Sequence, residues 1–215
     1  IGTVDEIEKW ADELDSQVCE MQLTSQFRCD GSDGYLAWLD DVLEIRETAN
    51  YNMKDVDYDI RIVDSPNEVR DIIFERNKVS NQSRILAGYC WAWIKEGQNN
   101  PDVHDIKIGD FEMSWNLGNT TTFAIDNDSV NEIGCIHTSQ GLEFDYVGVI
   151  IGDDMRYENG HIVTDFTKRA KTDQSLKGIK KLYKENPGLA LKESDEIIKN
   201  TYRTLMTRGM KGCYV

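Results

Sequence analysis

Proline is scarce, at three residues in 215, and glycine is modest at sixteen. That leaves little room for a long flexible linker, and the length suits one ample α/β domain, or at most two small ones; a single domain spanning residues 1–215 is expected. No apolar run approaches the roughly 20 residues that cross a bilayer. The longest, such as Tyr146–Ile151, suit buried strands, and no membrane is expected as a partner. The cysteines are Cys19, Cys29, Cys90, Cys135 and Cys213, odd in number and without a C-x-x-C pair. That argues against a zinc site and a disulfide framework, and for reduced, mostly buried thiols in a cytoplasmic protein. No signal peptide opens the chain. It begins at Ile1 rather than Met, so it is read as a fragment of a longer protein. Internal repeats and low-complexity stretches are also missing.

Basic residues are outnumbered, 24 to 39, for a net charge of −15. The deficit is uneven along the chain. Residues 1–60 carry −12, residues 61–164 carry −9, and residues 165–215 carry +6. A polyanion would favour the last quarter and avoid the first. A solvated lysine-rich helix accounts for the charge nearly as well.

What is present is an alternation of short apolar runs with helical patterns, the mark of a mainly parallel α/β sheet. Glu6–Leu14 reads as an acidic amphipathic helix and Met21–Phe27 as a strand. Ser32 caps a helix whose apolar positions are Tyr35, Leu36, Leu39, Val42 and Leu43. Asp59–Val63 alternates as a strand. Ser65, Pro66 and Glu68 then form a helix start, with Val69, Ile72 and Ile73 as the buried face. Arg84–Tyr89 is the next strand, and Asp105–Trp115 holds a strand or hairpin. Asn131–Ile136 and Asp145–Ile151 are strands joined by a turn at His137–Leu142. A lysine-rich insertion is expected around residues 156–190. Ser194 is expected to cap a helix bearing Ile197, Ile198, Tyr202, Leu205 and Met206, ended by Gly209. Gly212–Val215 begins a last strand.

Three segments stand where such a sheet presents function, at strand ends and the turns after them. They are Leu23–Arg28 (LTSQFR), Ile136–Asp145 (IHTSQGLEFD) and Tyr202–Gly209 (YRTLMTRG). Each alone has a plain structural reading: a surface arginine, a packed histidine, a turn whose glycine supplies backbone freedom. Trp91, Trp93 and Trp115 suit either base stacking or a core. Asp153 and Asp154 suit either a metal or solvent, with solvent favoured. Lys168, Arg169, Lys171, Lys177, Lys180, Lys181 and Lys184 form a basic run able to track phosphates.

In order and spacing, the three segments resemble motifs IV, V and VI of superfamily 1 helicases. Those enzymes carry L-x-x-x-[YF]-R, then T-x-H-x-x-[KQ]-G-L-E-F-D, then T-R-[AG] at a helix end. His137, Gln140, Gly141, Leu142, Glu143, Phe144 and Asp145 all fit the second. Residues 26–35 (QFRCDGSDGY), 87–91 (AGYCW) and 207–212 (TRGMKG) are similar to local signatures of the Schlafen group of helicases. The resemblance spans essentially the whole chain and implies a RecA-like three-layer fold, the second motor domain of such an enzyme. It further implies that Arg28 and Arg208 are arginine fingers, which stabilise charge on a transferring phosphoryl group. Gln140, Gly141 and Glu143 would serve the nucleotide side, with Gln140 linking it to the nucleic acid. His137 and Thr138 would touch a nucleic-acid backbone phosphate. Cys135 departs from the pattern, standing where many relatives carry Thr.

No G-x-x-x-x-G-K-[ST] phosphate loop occurs. The implied partners are therefore an N-terminal RecA-like domain of the same protein, which would hold ATP and Mg²⁺, and single-stranded DNA or RNA. The chain alone is expected not to hydrolyse ATP. An alternative is a degenerate NTPase-like module that senses nucleic acid without unwinding it. A weaker one is a carboxylate nuclease using Glu143, Asp145, Asp153 and Asp154.

Overall fold

The computed structural model describes residues 4–19, 28–50, 52–97, 99–117 and 122–215. The strand expected at Met21–Phe27 lies outside them. In chain order the helices are Val4–Glu13 (α1), Asp33–Val42 (α2), Pro66–Ser80 (α3), Ile179–Glu185 (α4) and Pro187–Met206 (α5). The strands are Asp59–Arg61 (β1), Ser83–Ala87 (β2), Ile106–Ile108 (β3), Phe111–Trp115 (β4), Glu132–Gly134 (β5), Phe144–Ile150 (β6), Met155–Glu158 (β7), His161–Thr164 (β8) and Gly209–Tyr214 (β9).

Seven strands form one sheet in the order β1-β9-β6-β2-β5-β4-β3. All its pairings are parallel except the β3–β4 hairpin, which is the hairpin expected within Asp105–Trp115. The central strands are buried on both faces, yet alternation still assigns each side chain. Ile85, Ala87, Ile133 and Ile150 join Val69 and Ile73 of α3 in one cluster. Leu86, Val147, Val149 and Cys213 join Tyr35, Leu36 and Leu39 of α2 and Ile198, Tyr202 and Leu205 of α5 in the other. Helices on both faces of a mainly parallel sheet make the three-layer α/β fold.

The caps read from sequence form as expected. Ser32 Oγ accepts from Tyr35 N, and Ser65 Oγ accepts from Glu68 N. The last helix departs from its expected start. It begins at Pro187, with Asn186 as its cap accepting from Leu189 N, and Ser194 sits buried in its interior, donating to Leu191 O. Proline at a first helical position is the signal that outranked serine. Gly209 does not end α5 either. Thr207 is the C-cap, and Gly209 already starts β9. A Cβ there would fall 2.1 Å from Gly212 O, so the backbone itself forbids a side chain.

The stretch after β6 carries the antiparallel hairpin β7–β8, then α4. Its anchor is a buried ionic cluster. The side chains of Asp154, Arg169 and Asp173 are 0%, 3% and 3% exposed. Arg169 donates to both carboxylates at 2.9 and 2.7 Å, and Tyr202 of α5 donates to Asp154. Asp154 is therefore not the solvated acid expected from sequence, and Arg169 does not belong to the exposed basic run. Trp115, 1% exposed, is a core residue rather than a stacking platform. Trp93 remains exposed.

Candidate functional site

The sequence-selected residues divide between two edges of the sheet. β5 and β6 both run parallel to β2. His137 and Thr138 follow β5, so they stand at the edge where strands end. Glu143 immediately precedes β6 and Arg208 immediately precedes β9, so they stand at the edge where strands begin. The expectation that all three segments lie after strands is thus corrected for two residues. The reason is that α5 returns antiparallel to the strands and delivers its last turn to their starting edge.

At that starting edge the junction between α5 and β9 is held carbonyl by carbonyl. Met206 O accepts from Tyr35 Oη at 3.1 Å, and Thr207 O from Cys29 Sγ at 3.8 Å. Arg208 O accepts from Phe144 N at 3.0 Å, and Gly209 O from Tyr58 Oη at 2.9 Å. Tyr35 and Tyr58 stack with centroids 3.9 Å apart. Beside the junction, β6 advances from Phe144 to Tyr146 while β9 advances from Gly209 to Gly212, an irregularity of the kind that re-aims side chains near active sites. Tyr58 had no functional reading in sequence, and Tyr35 and Thr207 stood within the Schlafen-like stretches 26–35 and 207–212 without a role of their own. Hydroxyl anchors reaching across the fold have no local pattern.

Arg28 opens a one-turn 3-10 segment, Arg28–Gly31, in which Cys29, Asp30 and Gly31 all have positive φ, at 53°, 53° and 75°. Non-glycine residues in this region are strained, and such turns cluster at functional sites. The turn brings Arg28 Nη1 to Thr207 Oγ1 at 3.4 Å. Arg208 lies next to it, 8% exposed, with Nη1 donating to Leu142 O at 3.4 Å and Nε lacking a hydrogen-bond partner among the described residues. Burial first, and then the like charge of Arg28, lower the pKa of Arg208 below the ordinary guanidinium value, while Glu143 opposes both. Burial raises the Cys29 thiol to about 11, keeping it neutral beside these charges. The edge therefore brings Arg28, Arg208 and Glu143 within electrostatic reach of one another, with the Arg208 guanidinium partly desolvated. An anion is the ligand such a cluster stabilises.

At the other edge Thr138 donates to the Asn116 carboxamide, and its Oγ1 lies 3.3 Å from Cys135 Sγ. The exposed His137 ring meets Tyr89 edge-on at 5.8 Å, and Tyr89 meets Trp115 at 4.9 Å. Tyr89, which sequence placed at a strand end and in the Schlafen-like stretch 87–91, is thus the aromatic wall behind His137.

Residues 135–143 connect the two edges. Register sets Gly134 level with Leu86, and Leu86 level with Val149. The crossover back to Phe144 therefore spans about 16 Å along the strands. Ile136 and Leu142 pack into the core shared with α2 and α5, and Ser139 is buried, donating to Cys135 O. Gln140 and Gly141 are exposed on this crossover. Gly141 has φ +75°, and nothing lies within 4 Å of a Cβ built on it. The protein's own packing leaves room for a side chain there, so its backbone angle is what calls for glycine.

The four carboxylates of the nuclease reading do not converge. Glu143 and Asp145 sit at one edge and Asp153 and Asp154 at the other. Asp145 is already engaged by Ser80 and Lys211, and Asp154 by Arg169. No group of three or more His, Cys, Asp or Glu among the described residues could hold a metal. No helix among them is long and apolar enough to cross a membrane.

The chain is similar to the uncharacterized protein YPL245W of Saccharomyces cerevisiae, with 25% identity over 209 residues. The match covers 90% of this chain but only 44% of the yeast protein, so the chain spans less than half of that relative's length. No solved structure matches it. The family model of the Schlafen group 3 DNA/RNA helicase domain matches residues 1–215. The architecture and the ordered segments agree with that match, and the chain belongs to the Schlafen group 3 helicase-domain family.

Proposed function

We propose that the chain is the second motor domain of an ATP-dependent helicase or translocase. It contributes Arg28 and Arg208 to a composite ATPase site and His137 and Thr138 to a nucleic-acid track. The observation that carries this reading is the buried Arg208, juxtaposed with Arg28 and Glu143 and with its Nε unpartnered among the described residues. Two like charges held together in a partly desolvated edge fit an incoming polyphosphate. A guanidinium suits the task because it keeps its proton and offers a fork of donors.

The phosphate loop and the Mg²⁺-binding acids belong, in this reading, to an N-terminal RecA-like domain of the same protein. ATP is the substrate and Mg²⁺ supplies charge neutralisation on that opposite wall. The crossover 135–143, with Gln140 and Gly141 on it, couples the two edges, so that domain closure on nucleotide shifts the grip of His137 and Thr138 on a single strand. The test is ATP turnover by the whole protein with and without single-stranded nucleic acid, beside the isolated 215-residue chain. Turnover in the whole protein only, stimulated by the strand, supports the reading. Strand binding indifferent to ATP in the whole protein would instead favour a sensing module without motor activity.

A further inference from the structure

The segment between β8 and α5 holds a surface groove of about 370 Å³. Lys171, Lys177 and Lys180 line it, all exposed and none in an ion pair among the described residues. Its one carboxylate, Asp173, is committed: Oδ2 accepts from Arg169, and Oδ1 accepts from the backbone and hydroxyl of Ser175. Three lysines without an ion-pair partner among the described residues line this one concave surface, a charge pattern that suits phosphates.

The groove also has a fixed position. The buried Asp154–Arg169–Asp173 cluster pins its rim, and Ala170 N donates to Tyr89 O at 2.7 Å. The guanidinium of Arg169 lies 5.9 Å from the Tyr89 ring, which also meets the His137 ring. A path therefore runs from His137 across Tyr89 to Ala170 and Lys171, and on to Lys177 and Lys180. Nearby acids do not close it. Asp165 caps its own turn by accepting from Thr167, and Glu185 lies 3.9 Å from Lys181, which does not line the groove.

We propose that this groove is a second nucleic-acid contact, taking backbone phosphates of the single strand beyond the His137–Thr138 edge. It rests on the role proposed for that edge. Lysines hold phosphates as point charges without reading bases, so the contact is sequence-independent and salt-sensitive.

The test measures binding of the 215-residue chain to labelled single strands of deoxythymidine or uridine, about 16 nucleotides long, across a salt series. Lys171→Gln/Lys177→Gln/Lys180→Gln is expected to weaken binding about tenfold or more and to lower the salt slope by about 2, at ~0.7 for each phosphate no longer neutralised. A control removing the same charge elsewhere, Lys54→Gln/Lys78→Gln/Lys107→Gln, is expected to stay within about twofold of wild type. All these lysines are exposed, and unchanged melting temperatures confirm that the variants fold. Equal affinity and slope in the groove variant and the control overturn the proposal. His137→Ala/Thr138→Val without effect, in a chain that binds, removes instead the sheet-edge reading and the continuous path that depends on it.

Discussion

Arg208 owes its place to the backbone bonds of its junction, its own and its neighbours', beside the 3.4 Å bond from its Nη1 to Leu142 O. Each carbonyl from Met206 to Gly209 has a donor, two of them buried tyrosine hydroxyls. Removing one such hydroxyl strands a buried acceptor, and Tyr58→Phe is expected to cost about 1–3 kcal/mol in a denaturant melt. An unchanged midpoint would show that the junction does not depend on that bond. Asp40 has a comparable role on α2. It is 2% exposed and accepts from Arg203 of α5 and from Arg46. Burial alone would raise its pKa, but those bonds outweigh it and hold the carboxyl below the ordinary 3.8. A depressed carboxyl stabilises the fold fully above its unfolded value and loses that contribution as pH falls through the folded one. Thermal melts across about pH 2–5 should therefore show an acid-induced loss that Asp40→Asn flattens, and equal acid slopes in both proteins would contradict this.

At the scale of elements, much of the sheet was legible in the sequence because its signals are local. Ser65-Pro66-x-Glu68 announced α3, and alternation or apolar runs announced β1, β2, β5 and β6. What could not be read depended on packing across the chain. Ser194 has the form of a cap, yet Pro187 starts the helix well before it and buries that serine. Asp154 has the form of a solvated acid, yet Arg169, fifteen residues on, removes it from water. The candidate residues were legible as types in order, but not their division between two edges, because a parallel sheet sorts strand starts from strand ends only once its topology is known. The Asp154–Arg169–Asp173 cluster gives this scale its prediction. Arg169→Ala leaves two buried carboxylates without their cation and is expected to cost about 3–5 kcal/mol. For a domain of this size that lowers the melting temperature by on the order of 10 °C. A change of a degree or less would mean that the segment before α5 is not anchored there.

The whole molecule carries −15, yet its charge is arranged so that cations gather where phosphates are expected. Arg28 and Arg208 meet at one edge, although Arg28 itself belongs to the acidic first quarter, and Lys171, Lys177 and Lys180 line a groove in the basic last quarter. In the proposed reading the groups that grip ATP and Mg²⁺ belong to a facing domain, so the test needs the whole protein. The most direct measurement is steady-state ATP turnover, stimulated by single strands, of the whole protein and of its Arg208→Ala variant. A fall in kcat of about a thousandfold or more with the fold intact is expected, and no turnover by the isolated 215-residue chain. Turnover by Arg208→Ala within a few-fold of wild type, or robust hydrolysis by the isolated chain, would contradict the proposed reading.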